Sequence, residues 1–400
     1  MKRNFIRHKQ TVFLFVFVFM IFLFFIFLPK VFSGHYVLDL PTSAHPAGQN
    51  RQEKVLTPPV FVPSYVETPK IVKGIYMTSW TASSLSLRST LVKLMEETEL
   101  NTLVIDIKDY SGKIVFSVEN PELKAYGSED VRVKDLSDFI ESLHKKGIYV
   151  IGRIAVFQDA YFVKHRSDLA VKNKSGTEVW KDRKGISWID AGSREYWDYI
   201  ILLAKESRKI GFDEINFDYI RFPSDGNMED ISFPHSTTTP KSEVLREFFE
   251  YLHDHLVDSG LKTSADLFGM VTTATNDMGI GQILENTLPY FDFISPMVYP
   301  SHYPSTFDGF KLPEAHPYEI VNFAMKSAVS RSEELASTTG KDKVEYKNKL
   351  RPWLQDFGLK MDYGPAEVRA QIKATNDLGL SSWILWSASN RYTKGALDMQ

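Results

Sequence analysis

The sequence predicts an α/β protein, a (β/α)8 TIM barrel behind an amino-terminal export segment and a linker, and three observations carry that reading. After residue 70, eight short β-rich runs alternate with helical stretches, the pattern of a closed parallel barrel. Joins from helix to strand are short and often hold Gly, whereas several joins from strand to helix are long, so one end of the molecule collects the loops. With 400 residues, 43% hydrophobic and 24% charged, the chain has the composition of a globular protein with a sizeable core. A doubly wound open sheet is the alternative, but it more often uses five or six strands.

The first element is apolar. Residues 12–28 read VFLFVFVFMIFLFFIFL without interruption, and Lys2, Arg3, Arg7 and Lys9 precede them. As a helix at about 1.5 Å per residue the run spans about 25 Å, near the lower end for crossing a bilayer and longer than an ordinary signal-peptide core. A basic flank before such a run places the downstream chain outside the cytoplasm. Residues 1–32 therefore read as a signal peptide, with Ser33 and Gly34 as a processing site, or as a retained anchor that holds the protein to the membrane through residues 12–28. The rest is expected outside the cytoplasm, anchored or secreted. Residues 33–70 carry Pro41, Pro46, Pro58, Pro59, Pro63 and Pro69 among Ser, Thr and Gln and read as an extended linker. That leaves 71–400 for the barrel.

The strand candidates are, in order, KGIYMTSW (73–80), TLVIDIKD (102–109), YVIGRIAVF (149–157), EINFDYIRF (214–222), KTSADLF (262–268), FDFISPMVY (291–299), LRPWLQDF (350–357) and SWILWSAS (382–389). Between them Leu91–Glu99, Leu136–Lys146, Tyr196–Ile210, Lys241–Ser259 and Ala366–Leu378 read as helices. Only residues 390–400 come after the last strand, so the eighth helix is expected to be short or missing. The joins at 158–192, 223–240 and 300–316 are the long ones and mark the functional face.

Composition removes several classes of function. Lys plus Arg number 47 against 50 Asp plus Glu, a net charge of −3, without the basic footprint of a nucleic-acid binder. Zero cysteines exclude a disulfide framework, a thiolate metal site and a cysteine nucleophile. No Walker loop or dinucleotide fingerprint appears, and no cofactor, metal or obligate protein partner is expected.

In a strand, residues i and i+2 share a face. Asn216 and Asp218 therefore point one way while Ile215, Phe217 and Tyr219 point the other; in the fifth strand Ser264, Asp266 and Phe268 share a face. Two carboxylates then meet near the carboxyl ends of adjacent strands. The structural alternative for Asp218 is an ion pair with Arg153, Arg221 or Lys108. In the second strand Asp106 and Lys108 share a face, with a barrel salt bridge as the alternative for Asp106. Aromatic residues gather at the same strand ends: Trp80, Tyr219, Tyr299, Trp353 and Trp386, with Trp188 and Tyr303 in loops. Sugar rings stack on such platforms, while Arg153, Asn216, Arg221, His302 and Gln355 can meet hydroxyls. A glycosidic bond needs two flanking carboxyl groups, one ionised and one able to deliver a proton. Asp218 and Asp266 are the candidate catalytic pair, and mutual repulsion with burial would raise one pKa. Asp218 is assigned nucleophile or base because cations surround it, and Asp266 acid because Ala265, Leu267 and Phe268 flank it; Asp106 and Asp356 stand in reserve.

The runs ETELNTLVIDIKD, KKGIYVIGRIAVFQD, GFDEINFDYIRFPSDG, KTSADLFG, FDFISPMVYPSHY, LRPWLQDF and SWILWSASNRYT resemble those of a bacterial family of glycoside-hydrolase-type domains, over about Val72 to Leu397. The resemblance implies a TIM barrel and an exported enzyme acting on a polysaccharide. DEINFDYI (213–220) is more distantly similar to the D-x-x-D-x-D-x-E motif of chitinases, but Asn216 replaces the second Asp and Ile220 occupies the position of the acid. Substrate-assisted chemistry is therefore not expected. Two further readings compete: a carbohydrate-binding barrel without catalysis, and a metal-dependent polysaccharide deacetylase. The latter needs clustered His and Asp ligands, whereas the His residues are scattered and His253 and His255, two apart, do not share a helix face.

Overall fold

A computed structural model of the protein describes residues 61–400; the apolar run at 12–28 and most of the expected linker lie outside the described residues. Among the described residues no helix is long and apolar enough to cross a membrane. Eight parallel strands close into a barrel in chain order: β1 Lys73–Met77, β2 Thr102–Lys108, β3 Tyr149–Ala155, β4 Glu214–Asp218, β5 Lys262–Phe268, β6 Phe293–Met297, β7 Trp353–Gln355 and β8 Trp383–Trp386. All eight expected strands are present, most of them shorter at their carboxyl ends, where the chain turns out into loops. β8 closes on β1 with Gly74 opposite Ile384.

Helices alternate with these strands: α1 Leu85–Glu97, α2 Leu136–His144, α3 Arg194–Lys209, α4 Lys241–Leu256, α5 Leu284–Thr287, α6 Pro317–Thr339 and α7 Pro365–Asp377. Among the described residues no α-helix comes after β8, only a 3-10 turn, Lys394–Ala396. The tail instead pairs with the end of α1, Glu99 N–H donating to Asp398 O at 2.9 Å. α3 shows why these segments are helical. Tyr196, Ile200, Leu203, Ala204 and Ser207 fall at helical spacing and are buried, Glu195 opens the first turn, and Arg208 and Lys209 close the last. Each buried Ile or Leu contributes roughly 1.5–3 kcal/mol. The turn into β4 needs Gly211, whose φ of 114° suits only glycine.

Strand periodicity separates two layers. Outward residues such as Ile105, Ile154, Ile215, Phe217 and Leu267 are buried against the helices. Inward residues, among them Tyr76, Val104, Tyr149, Ile151, Trp353 and Ile384, fill the barrel. The described residues begin at Phe61, within the segment expected as linker. Residues 64–68 lie along the amino-terminal ends of β3 and β4: Val66 N–H donates to Asp213 Oδ1 at 2.8 Å and Thr68 Oγ1 to the Tyr149 hydroxyl at 3.1 Å. The Arg208 guanidinium sits 3.3 Å over the Tyr65 ring.

Candidate active site

A cleft of about 560 Å³ opens where the strands end, lined by Arg153, Asp218, Asp266, Tyr299, Trp353 and Trp386 from the barrel and by Lys184, Arg221, His302 and Tyr303 from loops. It is at the carboxyl face, where the long joins place it.

Parallel register brings the polar residues together. Arg153 lies opposite Asp106 on one side and Asn216 on the other, and Asn216 lies opposite Ser264. The Arg153 guanidinium spans two carboxylates: Nη1 donates to Asp106 Oδ1 at 2.6 Å, and Nη2 pairs with Asp218 Oδ2. Asp106 also accepts from the Tyr76 hydroxyl. Burial pushes the Asp106 pKa up, against the opposing charge of Arg153 and the Tyr76 hydrogen bond. Burial works to lower the Arg153 pKa, yet Asp106 and Asp218 prevail and hold it well above its ordinary value. Asp218 is thus a paired carboxylate, with its Oδ1 accepting from Tyr219 N–H at 2.6 Å. Tyr219 has a φ of 53°, a left-handed conformation costing a bulky residue on the order of 1–3 kcal/mol. That turn ends β4 directly after the carboxylate.

Asp266 has a different setting. Its Oδ1 accepts from Asn216 Nδ2 at 2.8 Å and from the Trp353 indole at 2.7 Å, and its side chain is almost wholly buried. Burial, with the Asp218 charge adding to it, raises the Asp266 pKa well above the usual carboxylate range, and these outweigh Arg153 and the two hydrogen bonds. The two Asp residues have opposite settings: Asp218 is ion-paired with Arg153, and Asp266 is buried with its pKa pushed up. Trp386 stacks on Tyr76 with centroids 4.1 Å apart and meets Trp353 edge-on at 5.9 Å. The His302 pKa is lowered by burial, which favours the neutral ring.

Asp106, Arg153, Asn216, Asp218, Asp266, Trp353 and Trp386 therefore form one connected group, with Arg221, Tyr299 and His302 along the cleft wall. Two expected substrate contacts are placed elsewhere. Lys108 is fully buried, pairs with Asp159 at 2.8 Å and donates to Ala155 O at 2.5 Å; a register shift between Asp106 and Lys108 breaks the two-residue alternation that would have put both on one face. Gln355 is also fully buried, accepting from Ser301 N–H at 3.0 Å and donating to Phe357 O at 2.7 Å, so it shapes the loop carrying His302 instead of meeting substrate. Asp356, the reserve carboxylate, accepts from Thr393 N–H and Oγ1 at 2.8 and 2.6 Å and is not in the cleft wall. Sequence reasoning missed Tyr76, which its inward parity in β1 could have revealed. It also missed Lys184, which only the path of a long loop brings to the cleft. Gly269 is a further close approach: a Cβ there would meet Met297 O at 2.4 Å. Among the described residues no group of three His, Asp or Glu side chains is placed to hold a metal ion.

A closed parallel barrel with polar and aromatic groups converging at its carboxyl face is the architecture of many enzymes of unrelated chemistry. The chain belongs to the family described as "Putative glycosyl hydrolase domain", whose model matches residues 74–392. Among solved structures it is similar to a hypothetical protein from Ruminiclostridium thermocellum, at 33% identity and a TM-score of 0.44 over 48% of this chain and 96% of that one. It is also similar to the PgaB (BpsB) glycoside hydrolase domain of Bordetella bronchiseptica, at 12% identity and a TM-score of 0.55 over 80% and 95% of the two chains. The catalytic domain of a hyperthermophilic chitinase from Pyrococcus furiosus matches at 12% identity and a TM-score of 0.47, over 84% and 92%. At 12% identity such likeness speaks to the fold. No curated protein matches the chain.

Proposed function

We propose that the protein is an exported glycoside hydrolase that cleaves a bacterial cell-wall or extracellular polysaccharide, with Asp218 and Asp266 as its two carboxyl groups. The observation that carries this is the asymmetry of the pair: Asp218 ion-paired with Arg153, Asp266 buried and pushed toward its protonated form. Glycoside cleavage needs that division, because one group must supply negative charge to an oxocarbenium-like centre while the other gives a proton to the leaving oxygen. Asp218 serves as nucleophile or base, and Asp266 as acid. Arg153, tied also to Asp106, holds Asp218 in place, and Trp386 and Tyr299 offer apolar surface to a sugar ring. Family membership and the barrel fold support the same chemistry. The leader at 12–28 supports an extracytoplasmic location, which detection of the protein in the cytosolic fraction would overturn.

The test is reducing-end release from cell-wall and exopolysaccharide preparations by the full-length protein and its Asp218→Asn and Asp266→Asn variants. Each substitution keeps shape while removing ionisation, so turnover should fall by about 10²–10⁴-fold with binding retained. Release should also decline at high pH as Asp266 loses its proton. Polysaccharide binding by the wild type with no reducing ends released would favour a carbohydrate-binding barrel.

A further inference from the structure

Acid and base roles use Asp218 and Asp266 but leave the cations of the cleft wall unexplained. Arg221 lies three residues past Asp218, beyond the left-handed turn at Tyr219. Its guanidinium lies 4.8 Å from the Trp188 ring centroid, 4.5 Å from that of Phe268 and 5.5 Å from that of Tyr219. Among the described residues only Nη1 is hydrogen-bonded, to Phe222 O at 3.0 Å and Ser224 Oγ at 3.2 Å. No carboxylate among the described residues forms an ion pair with it. Besides the Tyr219 phenol, the acidic groups in its field are the carboxylates Asp218, Asp225 and Asp182, and two of these are committed. Asp218 faces Arg153. Asp182 accepts four hydrogen bonds, from Gln158 Nε2, Trp188 Nε1 and the Lys184 and Ile186 amides, at 2.9–3.0 Å. Asp225 stays partly exposed with no bond to Arg221.

Lys184 is the second such cation, exposed on the loop between β3 and α3, lining the same cleft without an ion pair among the described residues. Within the lining Arg153 is already paired with Asp106 and Asp218, which leaves Arg221 and Lys184 as the cations without an ion-pair partner among the described residues. Burial also pushes the Arg221 pKa down, the sign of a half-buried charge that has lost part of its water without full compensation. A guanidinium clamped among aromatic rings presents a fixed planar fork, and its natural complement is a carboxylate met by two parallel N–H bonds. A neutral sugar would cover that half-buried charge and leave it unpaired.

We propose that Arg221, assisted by Lys184, binds the carboxylate of an acidic sugar, so that the substrate is a carboxylate-bearing polysaccharide and not a neutral one. This rests on the reading of the cleft as a glycan site and adds the class of glycan it selects. A uronic acid and the lactyl ether of an amino sugar offer the same group, and the probes separate them.

Calorimetric titration of the full-length protein uses hexagalacturonate, its carboxyl-reduced neutral counterpart, the N-acetylglucosamine–N-acetylmuramic acid disaccharide and the methyl ester of that disaccharide. At least one acidic probe should bind about 10-fold or more tighter than its neutralised form, and added salt should weaken that preference. Arg221→Gln should reduce the preference to less than about 3-fold, and Arg221→Lys should leave an intermediate value, since it keeps charge but loses the fork. Lys184→Gln, at an exposed position where folding is not in question, should weaken acidic binding roughly 2- to 5-fold. Equal or tighter binding of the neutralised forms, a preference that survives in Arg221→Gln, or no binding of either acidic probe would each overturn the proposal. Reducing-end release measured on the same probes keeps the two readings apart. Binding of an acidic probe without cleavage counts against hydrolysis and leaves the carboxylate site standing. Equal cleavage of acidic and neutralised forms does the reverse.

Discussion

Asp266 accepts two hydrogen bonds on one oxygen while burial and the Asp218 charge push its pKa up, and this has a measurable cost in stability. In the unfolded chain the group ionises near its ordinary value of 3.8, whereas in the folded protein it keeps its proton to higher pH. Between those two values the folded state binds more protons than the unfolded one, so stability falls as pH rises through the window, and the full penalty persists above it. Asp266→Asn keeps the Oδ1 acceptor and cannot ionise. It should therefore melt higher than the wild type at about pH 7–8, by roughly 2–4 °C per kcal/mol released, with the gap closing below about pH 4. Calorimetry across roughly pH 3.5–8 measures this, and a variant less stable than the wild type at neutral pH would contradict the assignment of a protonated Asp266. Such residues were legible because β4 and β5 keep strict two-residue alternation. Lys108 was not, because a one-residue register shift turns its side chain to the helix layer, and Gln355 was not, because its partners come from a separate loop.

At the scale of elements, strands and helices announced themselves through periodicity, while the segment before β1 did not. Pro63 and Pro69 flank residues that read as linker, and proline suits an extended strap because it brings no N–H to satisfy. What docks the strap is one amide, three hydroxyls and one ring: Val66 N–H on Asp213, Ser64 on His144 Nδ1 at 3.1 Å, Thr68 on Tyr149, and Tyr65 under Arg208 with its hydroxyl donating to Arg208 O at 3.0 Å. Contacts so sparse leave no pattern in sequence. They matter because Asp213 also receives Val150 N–H at 2.8 Å and His144 Nε2 at 2.9 Å, so one carboxylate joins the strap, β3 and α2. A fragment beginning at residue 71 should fold, since every strand lies within it, but it should be less stable than one beginning at 61 by about 1–3 kcal/mol, the cost of leaving such groups unpaired. Urea unfolding of the two fragments decides this, and coincident midpoints would show the strap to be energetically idle.

Over the whole molecule the barrel divides its polar residues between two ends, the cleft group around Arg153 above and a structural pair below. Glu214, opening β4, and Arg351, just before β7, form an ion pair with almost no exposure, and the Tyr149 hydroxyl donates to Glu214 Oε2 at 3.1 Å. β4 and β7 are not neighbours in the sheet, since β5 and β6 separate them, so the pair crosses the barrel interior and braces opposite parts of its wall. Removing one partner of such a buried pair strands the other charge and costs about 3–5 kcal/mol, whereas replacing both with apolar side chains of similar volume is often neutral. Arg351→Met should accordingly lower the melting temperature sharply, and Glu214→Leu combined with Arg351→Met should recover most of the loss. Because the amino-terminal face of this fold serves stability and the carboxyl face chemistry, kcat/KM per folded molecule should be near wild type in both variants. A double-mutant cycle in urea, with activity measured on the soluble fraction, tests the two statements together. A double variant no more stable than Arg351→Met would remove the bracing role, and a loss of turnover matching that of Asp218→Asn would mean that the lower pair reaches the cleft through the barrel.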